Sequence, residues 1–255
     1  VKIALLAALF FFTALLYASV GFGGGSTYTA LLIVADTDYR LVPVIALTCN
    51  ILVVSGNTVR YRREGLIDPK KIWPLIILSI PAAWIGGRLE VSETVFIGLL
   101  WIALLIAGLR LLITRAKSRD SALKATSPLG NALIGGAIGF YAGLVGIGGG
   151  IFLAPILHFL RWGTAKQIAA TCSLFILVNS VSGVSGQLTK LGDMAILGDA
   201  FAYWPVIPAV LIGGFIGNHF GVFKFSEATL KRVTGGLILL VALRLAIRWF
   251  GLLGA

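Results

Sequence analysis

Two short glycine clusters constrain this chain more than any other feature. Residues 21–25 read Gly-Phe-Gly-Gly-Gly and residues 146–150 read Gly-Ile-Gly-Gly-Gly. Each closes an apolar run long enough to be a membrane helix and opens a second, shorter apolar run, so the helix is expected to break there. In hydrocarbon a broken backbone leaves N–H and C=O groups unpaired, which is tolerated only where protein or a water-filled cavity surrounds them. The two breaks therefore predict one buried site, built twice.

Composition supports a membrane setting. Hydrophobic residues make up 58% of the 255 and charged residues only 12%, with a mean hydropathy of +0.98. Charged residues make up about 25% of an ordinary soluble domain. The runs have helical length and lack the alternation of barrel strands, which predicts an all-α integral membrane protein. The net charge of +11 would suggest nucleic acid in a soluble chain. Here the Lys and Arg sit in short gaps between apolar runs, so they read as an orientation signal, and no nucleic-acid partner is expected. Cys49 and Cys172 both fall inside predicted spans, with neither a disulfide framework nor a metal-ligand spacing. No cofactor, metal or catalytic residue is implied. Lys2 and the apolar run 3–20 resemble a secretory signal peptide, but the same element recurs at 129–145, so the run is read as a structural span.

The chain repeats. Gly21 aligns with Gly146, Thr48-Cys49 with Thr171-Cys172, Pro81-Ala82 with Pro208-Ala209, Gly86-Gly87 with Gly213-Gly214, and Ser92-Glu93 with Ser226-Glu227, in the same order. Anchors at four slowly drifting offsets mark a duplication. The first half reads as a span at 3–20, a short helix at 26–35, and spans at 41–59, 72–88 and 94–113. The second reads as 129–145, a short helix at 151–161, then 167–186, 201–220 and 229–250. The organisation expected is a first transmembrane repeat over 1–117, a cytoplasmic linker over 118–128 and a second repeat over 129–255. The short helices cannot cross a bilayer of about 30 Å at about 1.5 Å per residue. Each is expected to form a hairpin with the run before it, followed by three transmembrane helices. That odd number gives the two repeats opposite, inverted topologies.

Charge tests this independently. Placing the 60–71 loop inside puts Arg60, Arg62, Arg63, Lys70, Lys71, Arg110, Arg115, Lys117, Arg119, Lys124, Arg161, Lys166, Lys224, Lys231 and Arg232 on that side. Lys2, Arg40, Arg88, Lys190, Arg244 and Arg248 remain on the other. A bias of fifteen to six favours the inverted arrangement with both termini outside. Arg244 and Arg248 are its weak point.

All ten carboxylates fall in loops or at span ends. Proton relays and cation sites in membranes usually use an intramembrane Asp or Glu, so a cation pump is disfavoured. The other means of holding charge is a helix end, whose free N–H groups and positive dipole favour an anion. Gly23, Gly24, Gly25 and Ser26, with Gly148, Gly149, Gly150 and Ile151, are the candidate cradle. Close helix packing by small residues is the competing reading. The following spans add Thr48, Cys49 and Asn50, and Thr171, Cys172 and Ser173, as candidate hydrogen-bonding partners. Asn57 and Ser180, seven residues after Asn50 and Ser173, share their helix faces and could serve the site or join helices. His158 has no counterpart in the first half and reads as an ordinary hydrogen-bonded histidine.

The motifs Gly-Phe-Gly-Gly-Gly-Ser-Thr at 21–27, Gly-Ile-Gly-Gly-Gly-Ile-Phe-Leu-Ala-Pro-Ile-Leu at 146–157 and Ala-Thr-Cys-Ser at 170–173, with the duplicated Pro…Gly-Gly spans, resemble the TauE/SafE sulfite exporter family over nearly the whole chain. The resemblance implies a multi-pass plasma (cell inner) membrane transporter, an exporter of sulfite or other small organosulfur anions. The first half departs from the family pattern in having Thr29-Ala30 where the second has Ala154-Pro155. A passive anion channel shares these features. An intramembrane serine protease using Ser26 with His158 or His219 is disfavoured, because the repeat partner of Ser26 is Ile151. Oligomeric state is not readable from the sequence.

Overall fold

A computed structural model describes residues 2–113, 127–190, 198–220 and 227–253. Among them are ten α-helices: α1 (Lys2–Ser19), α2 (Gly25–Val34), α3 (Val42–Arg63), α4 (Pro69–Arg88), α5 (Glu93–Ile113), α6 (Pro128–Val145), α7 (Gly150–Phe159), α8 (Ala165–Lys190), α9 (Val206–Phe220) and α10 (Glu227–Leu253). By length and composition α3, α6 and α8 can each cross a membrane, and α1, α2, α5, α7 and α9 contain shorter apolar helical stretches. Most of the expected linker, 118–126, lies outside the described residues, and its last residue already belongs to α6.

Helix limits follow local chemistry. The Asp68 side chain caps α4 by accepting from the backbone N–H of Lys70 (3.0 Å) and Lys71 (3.4 Å), and Pro69 takes the first position, where no N–H is needed. Helix α3 runs four residues past its expected end at 59, because Arg60–Arg63 are good helix formers and cations suit a helix C-terminus. The single span expected at 201–220 is divided into a 3₁₀ turn at Phe201–Tyr203 and α9 from Val206. Pro205 lacks the N–H that would continue one helix through this point.

The most extensive packing joins α4 to α6, α1 to α9, and α5 to α10, while α8 lies against both α3 and α4. Glycines allow two of these contacts. A β-carbon on Gly135, Gly139 or Gly143 of α6 would strike the backbone of Leu75, Ser79 or Ala83 on α4. One on Gly213 or Gly217 of α9 would strike the carbonyls of Phe11 and Leu15 on α1. Backbones in such close approach gain dispersion contact that larger residues would prevent. The α5–α10 contact instead uses side chains, with Gly98 against Trp249 and Gly108 against Leu239.

Polarity is arranged inside out. Leu5, Phe12, Leu133, Phe159, Phe215, Leu240 and Ile247 point outward. Asn50, Asn57, Ser79, Ser173, Asn179, Ser180 and Gln187 are fully enclosed. That distribution suits a hydrocarbon solvent, and the enclosed polar groups lie mainly on α3 and α8.

Candidate functional site

Both expected breaks are present. Helix α1 ends at Ser19, and α2 begins at Gly25 after Gly24, which has φ +88°. Helix α6 ends at Val145, and α7 begins at Gly150 after Gly149, which has φ +81°. An L-residue with a side chain is strained at either φ, so Gly24 and Gly149 are needed for the turn itself.

The first bonds of α2 run from the N–H groups of Thr27 and Tyr28 to the Gly24 carbonyl, and those of α7 from Phe152 and Leu153 to the Gly149 carbonyl. The N–H groups of Gly25 and Ser26, and of Gly150 and Ile151, precede the helical ladder. Neither helix has a side-chain cap. Residues 23–26 and 148–150 are all buried, so these are two enclosed, uncapped helix N-termini. Each carries the positive end of a helix dipole.

Two crossed hydrogen bonds bring the breaks together. Asn50 on α3 donates from Nδ2 to the carbonyl of Ile147 in the second break, 3.3 Å away. Ser173 on α8 donates from Oγ to the carbonyl of Gly21 in the first break. The Asn50 amide is wedged between the two: β-carbons on Gly23, Gly25 or Gly148 would all collide with it. Asn50 Oδ1 is buried without a partner, and so is Ser180 Oγ, which lies 3.2 Å from where a Gly148 β-carbon would be. Six of the candidate residues, Gly23, Gly25, Asn50, Gly148, Gly150 and Ser173, thus line or tie the junction of the two breaks.

The remaining candidates are placed less centrally. Thr48 Oγ1 donates to the Val44 carbonyl of its own helix (2.7 Å). Cys49 packs into the main apolar core with Phe10, Tyr28 and Val53, and Cys172 into a smaller one with Leu75, Ile138, Leu153 and Phe175. Both thiols are free. Thr171 and Ser26 are buried, and Ile151 packs at the edge of the main core. His158 is exposed in the last turn of α7, and His219 stacks on Phe215 with ring centroids 4.3 Å apart. Among the described residues no Asp, Glu, Lys or Arg is fully buried.

Aromatic neighbours escaped the sequence reading. Tyr61 lies so close to Gly21 that a β-carbon there would strike its hydroxyl. Tyr28 abuts Gly24 and stacks on Phe10 at 4.7 Å, and the Tyr17 hydroxyl shares a 2.9 Å hydrogen bond with Thr27 Oγ1. Asn50, Asn57 and Tyr61, at spacings of seven and four, share one face of α3. Extending the expected helix through residue 63 would have brought Tyr61 into view.

The chain is similar in sequence to known proteins. The family model for the sulfite exporter TauE/SafE matches residues 6–245. The chain is 34% identical over 245 residues to the probable membrane transporter protein y4hK of Sinorhizobium fredii, covering 94% of this chain and 96% of that one. It is 25% identical to the probable membrane transporter protein YunE of Bacillus subtilis, over 78% of this chain and 81% of that one. No solved structure gives a significant match. With a family match across almost its full length and a full-length relative at this identity, the chain belongs to the TauE/SafE sulfite exporter family of membrane transporters.

Proposed function

We propose that this protein is a secondary transporter in the plasma membrane that exports a small sulfur-containing anion such as sulfite. Its binding site lies where the two glycine breaks meet, and access alternates between the two sides of the membrane. The observation that carries this reading is the convergence of two uncapped helix N-termini on one asparagine amide, with no buried carboxylate among the described residues. Such a site offers backbone N–H donors and two positive dipole ends in a medium of low dielectric, which favours an anion.

The halves 1–117 and 129–255 serve as inverted repeats in this reading, joined by a linker at 118–128. Exchanging the helices of one half for their counterparts turns the α4–α6 contact into α9–α1, and maps α3–α8 and α5–α10 onto themselves. The multi-pass topology with both termini outside follows from parity and charge bias. Its weak point also finds support. Arg248 pairs with Glu93 at 2.6 Å and Arg244 with Asp36 at 3.5 Å, so the two arginines on the less basic side have carboxylate partners.

Sulfite efflux from proteoliposomes is the direct test. Wild-type protein is expected to give saturable efflux, inhibited by thiosulfate and small sulfonates, that Asn50→Ala slows. Flux that does not saturate points to a channel, and flux unaffected by Asn50→Ala in folded protein removes the central site.

A further inference from the structure

Beyond the junction, the last two turns of α3 hold a second set of polar groups that the central site does not use. Asn57 is fully buried, and both of its amide atoms lack a partner. So do Thr58 Oγ1, Arg60 Nε and, across on α9, Asn218 Oδ1. Arg60 and Asn218 touch, and Asn57 and Thr58 precede Arg60 by less than one turn of α3. Arg60 donates from Nη1 to the Asn218 carbonyl at 2.7 Å, and the Asn218 amide lies against Gly56. The Arg60 guanidinium sits 4.8 Å over the ring of Tyr61, whose hydroxyl reaches the first glycine break at Gly21. Glu64 Oε1 forms an i,i+4 ion pair with Arg60 Nε at 3.6 Å, beyond hydrogen-bond distance and with both side chains partly exposed, so it offsets the Arg60 charge only weakly. Leaving several buried polar atoms unpaired is costly, and a polar guest would relieve that cost.

Its chemistry defines the guest. The unpaired atoms comprise donors on Asn57, Thr58 and Arg60, acceptors on Asn57 and Asn218, and a fixed positive charge. A small oxyanion that retains one proton offers both acceptors and a donor. We propose that Arg60, Asn57, Thr58 and Asn218 form an anion-capture subsite at the α3 end of the protein, which passes the anion along Tyr61 to the glycine junction. The proposal rests on the anion-transport reading and adds a side to it. The repeat counterparts of Arg60 and Tyr61 are Gly183 and Val184. Gly183 packs against Gly143 and Leu47, and a β-carbon on Gly87 would strike its carbonyl, so the matching position of the other half holds no cation. Capture is therefore one-sided. On the charge bias this side is the cytoplasmic one, where an exporter must load.

The test uses full-length protein, with sulfite as the probe. In proteoliposomes of either orientation, Arg60→Gln is expected to raise the half-saturating sulfite concentration at least tenfold when sulfite is supplied at the α3 end. Supplied at the opposite face, the change stays below twofold. Arg60→Lys keeps the charge and recovers part of the loss, and added salt weakens wild type toward Arg60→Gln. Sulfite-dependent thermal stabilisation is measured on the same three proteins. If wild type carries no sulfite, the transport reading fails, and the subsite is judged on stabilisation alone: present in wild type and lost in Arg60→Gln, or the subsite fails too. Equal half-saturation in folded wild type and Arg60→Gln, or equal loss from both faces, overturns the proposal. If Arg60→Gln does not fold, Asn57→Ala must show the same one-sided rise.

Discussion

The helices that follow the two glycine breaks start alike and are housed differently. In α2, nine of ten residues, Gly25 through Ile33, are buried, whereas in α7 only Gly150, Leu153 and Leu157 are. Helix α2 carries Ser26, Thr27, Tyr28 and Thr29, with Thr29 donating back to the Gly25 carbonyl (2.7 Å). At the same positions α7 carries Ile151, Phe152, Leu153 and Ala154. Both breaks place a left-handed glycine directly before the short helix, but Gly148 also has a positive φ where its counterpart Gly23 does not, and the surroundings diverge. One half buries its helix in the main apolar core, and the other leaves most of its helix partly exposed.

Substituting the glycines that cap the short helices should have the largest effect, and should show whether that difference matters. Gly24→Leu and Gly149→Leu each force a side chain into a left-handed conformation, costing roughly 1–2 kcal/mol, and overpack the site by about 1–3 kcal/mol more. Gly24 meets Thr13 and Tyr28 and Gly149 meets Ile138 and Phe175, so both are expected to lose sulfite flux and melt at lower temperature. Flux that survives in Gly149→Leu alone would make α2 the dominant half.

The crossed hydrogen bonds come next. Asn50→Ala strands the Ile147 carbonyl and empties the space between the breaks, so a loss of about 2–3 kcal/mol is expected. Ser173→Ala removes one hydroxyl and should cost about 1 kcal/mol. Thermal unfolding of both in detergent checks the order, and the reverse ranking would shift the centre of the junction from Asn50 to Ser173.

Smaller effects separate the tight interfaces from the loose ones. Gly143→Ala pushes into the Ala83 carbonyl and should destabilise by about 1–3 kcal/mol. Gly236→Ala on α10 meets nothing within 4 Å and should be neutral or stabilise by up to about 1 kcal/mol, as Ala replaces Gly in a helix. The smallest effect is expected at Asp38, in the turn between α2 and α3. The Arg40 side chain donates hydrogen bonds to its carboxylate and lowers its pKa below the ordinary Asp value. Its contribution is complete above the ordinary pKa and is lost as pH falls through the lowered one. Asp38→Asn should remove that acid-side slope and change stability at neutral pH by less than about 1 kcal/mol, as exposed pairs do.

Helix positions were largely legible because apolar run length and glycine punctuation are local signals. The α3 end was missed because three arginines in four residues look like a loop, although they are good helix formers. Within the site, Asn50 and Ser173 were legible as polar groups inside predicted spans, and both are buried. It could not show that each reaches into the other half, since a repeat alignment gives equivalent positions and says nothing about partners. Thr48 was readable as polar, but its short hydroxyl can reach the carbonyl four residues back, and that local bond is the one it makes. The cysteines align in both halves, yet each sits among apolar side chains, as free thiols commonly do.

The crossing of Asn50 and Ser173 frees the two positions from a shared requirement. Two separate, identical copies would need one residue type to satisfy both contacts, whereas a single chain needs no such match. Each position then answers to its own carbonyl, Ile147 or Gly21, and amide and hydroxyl could part company while the architecture stayed the same.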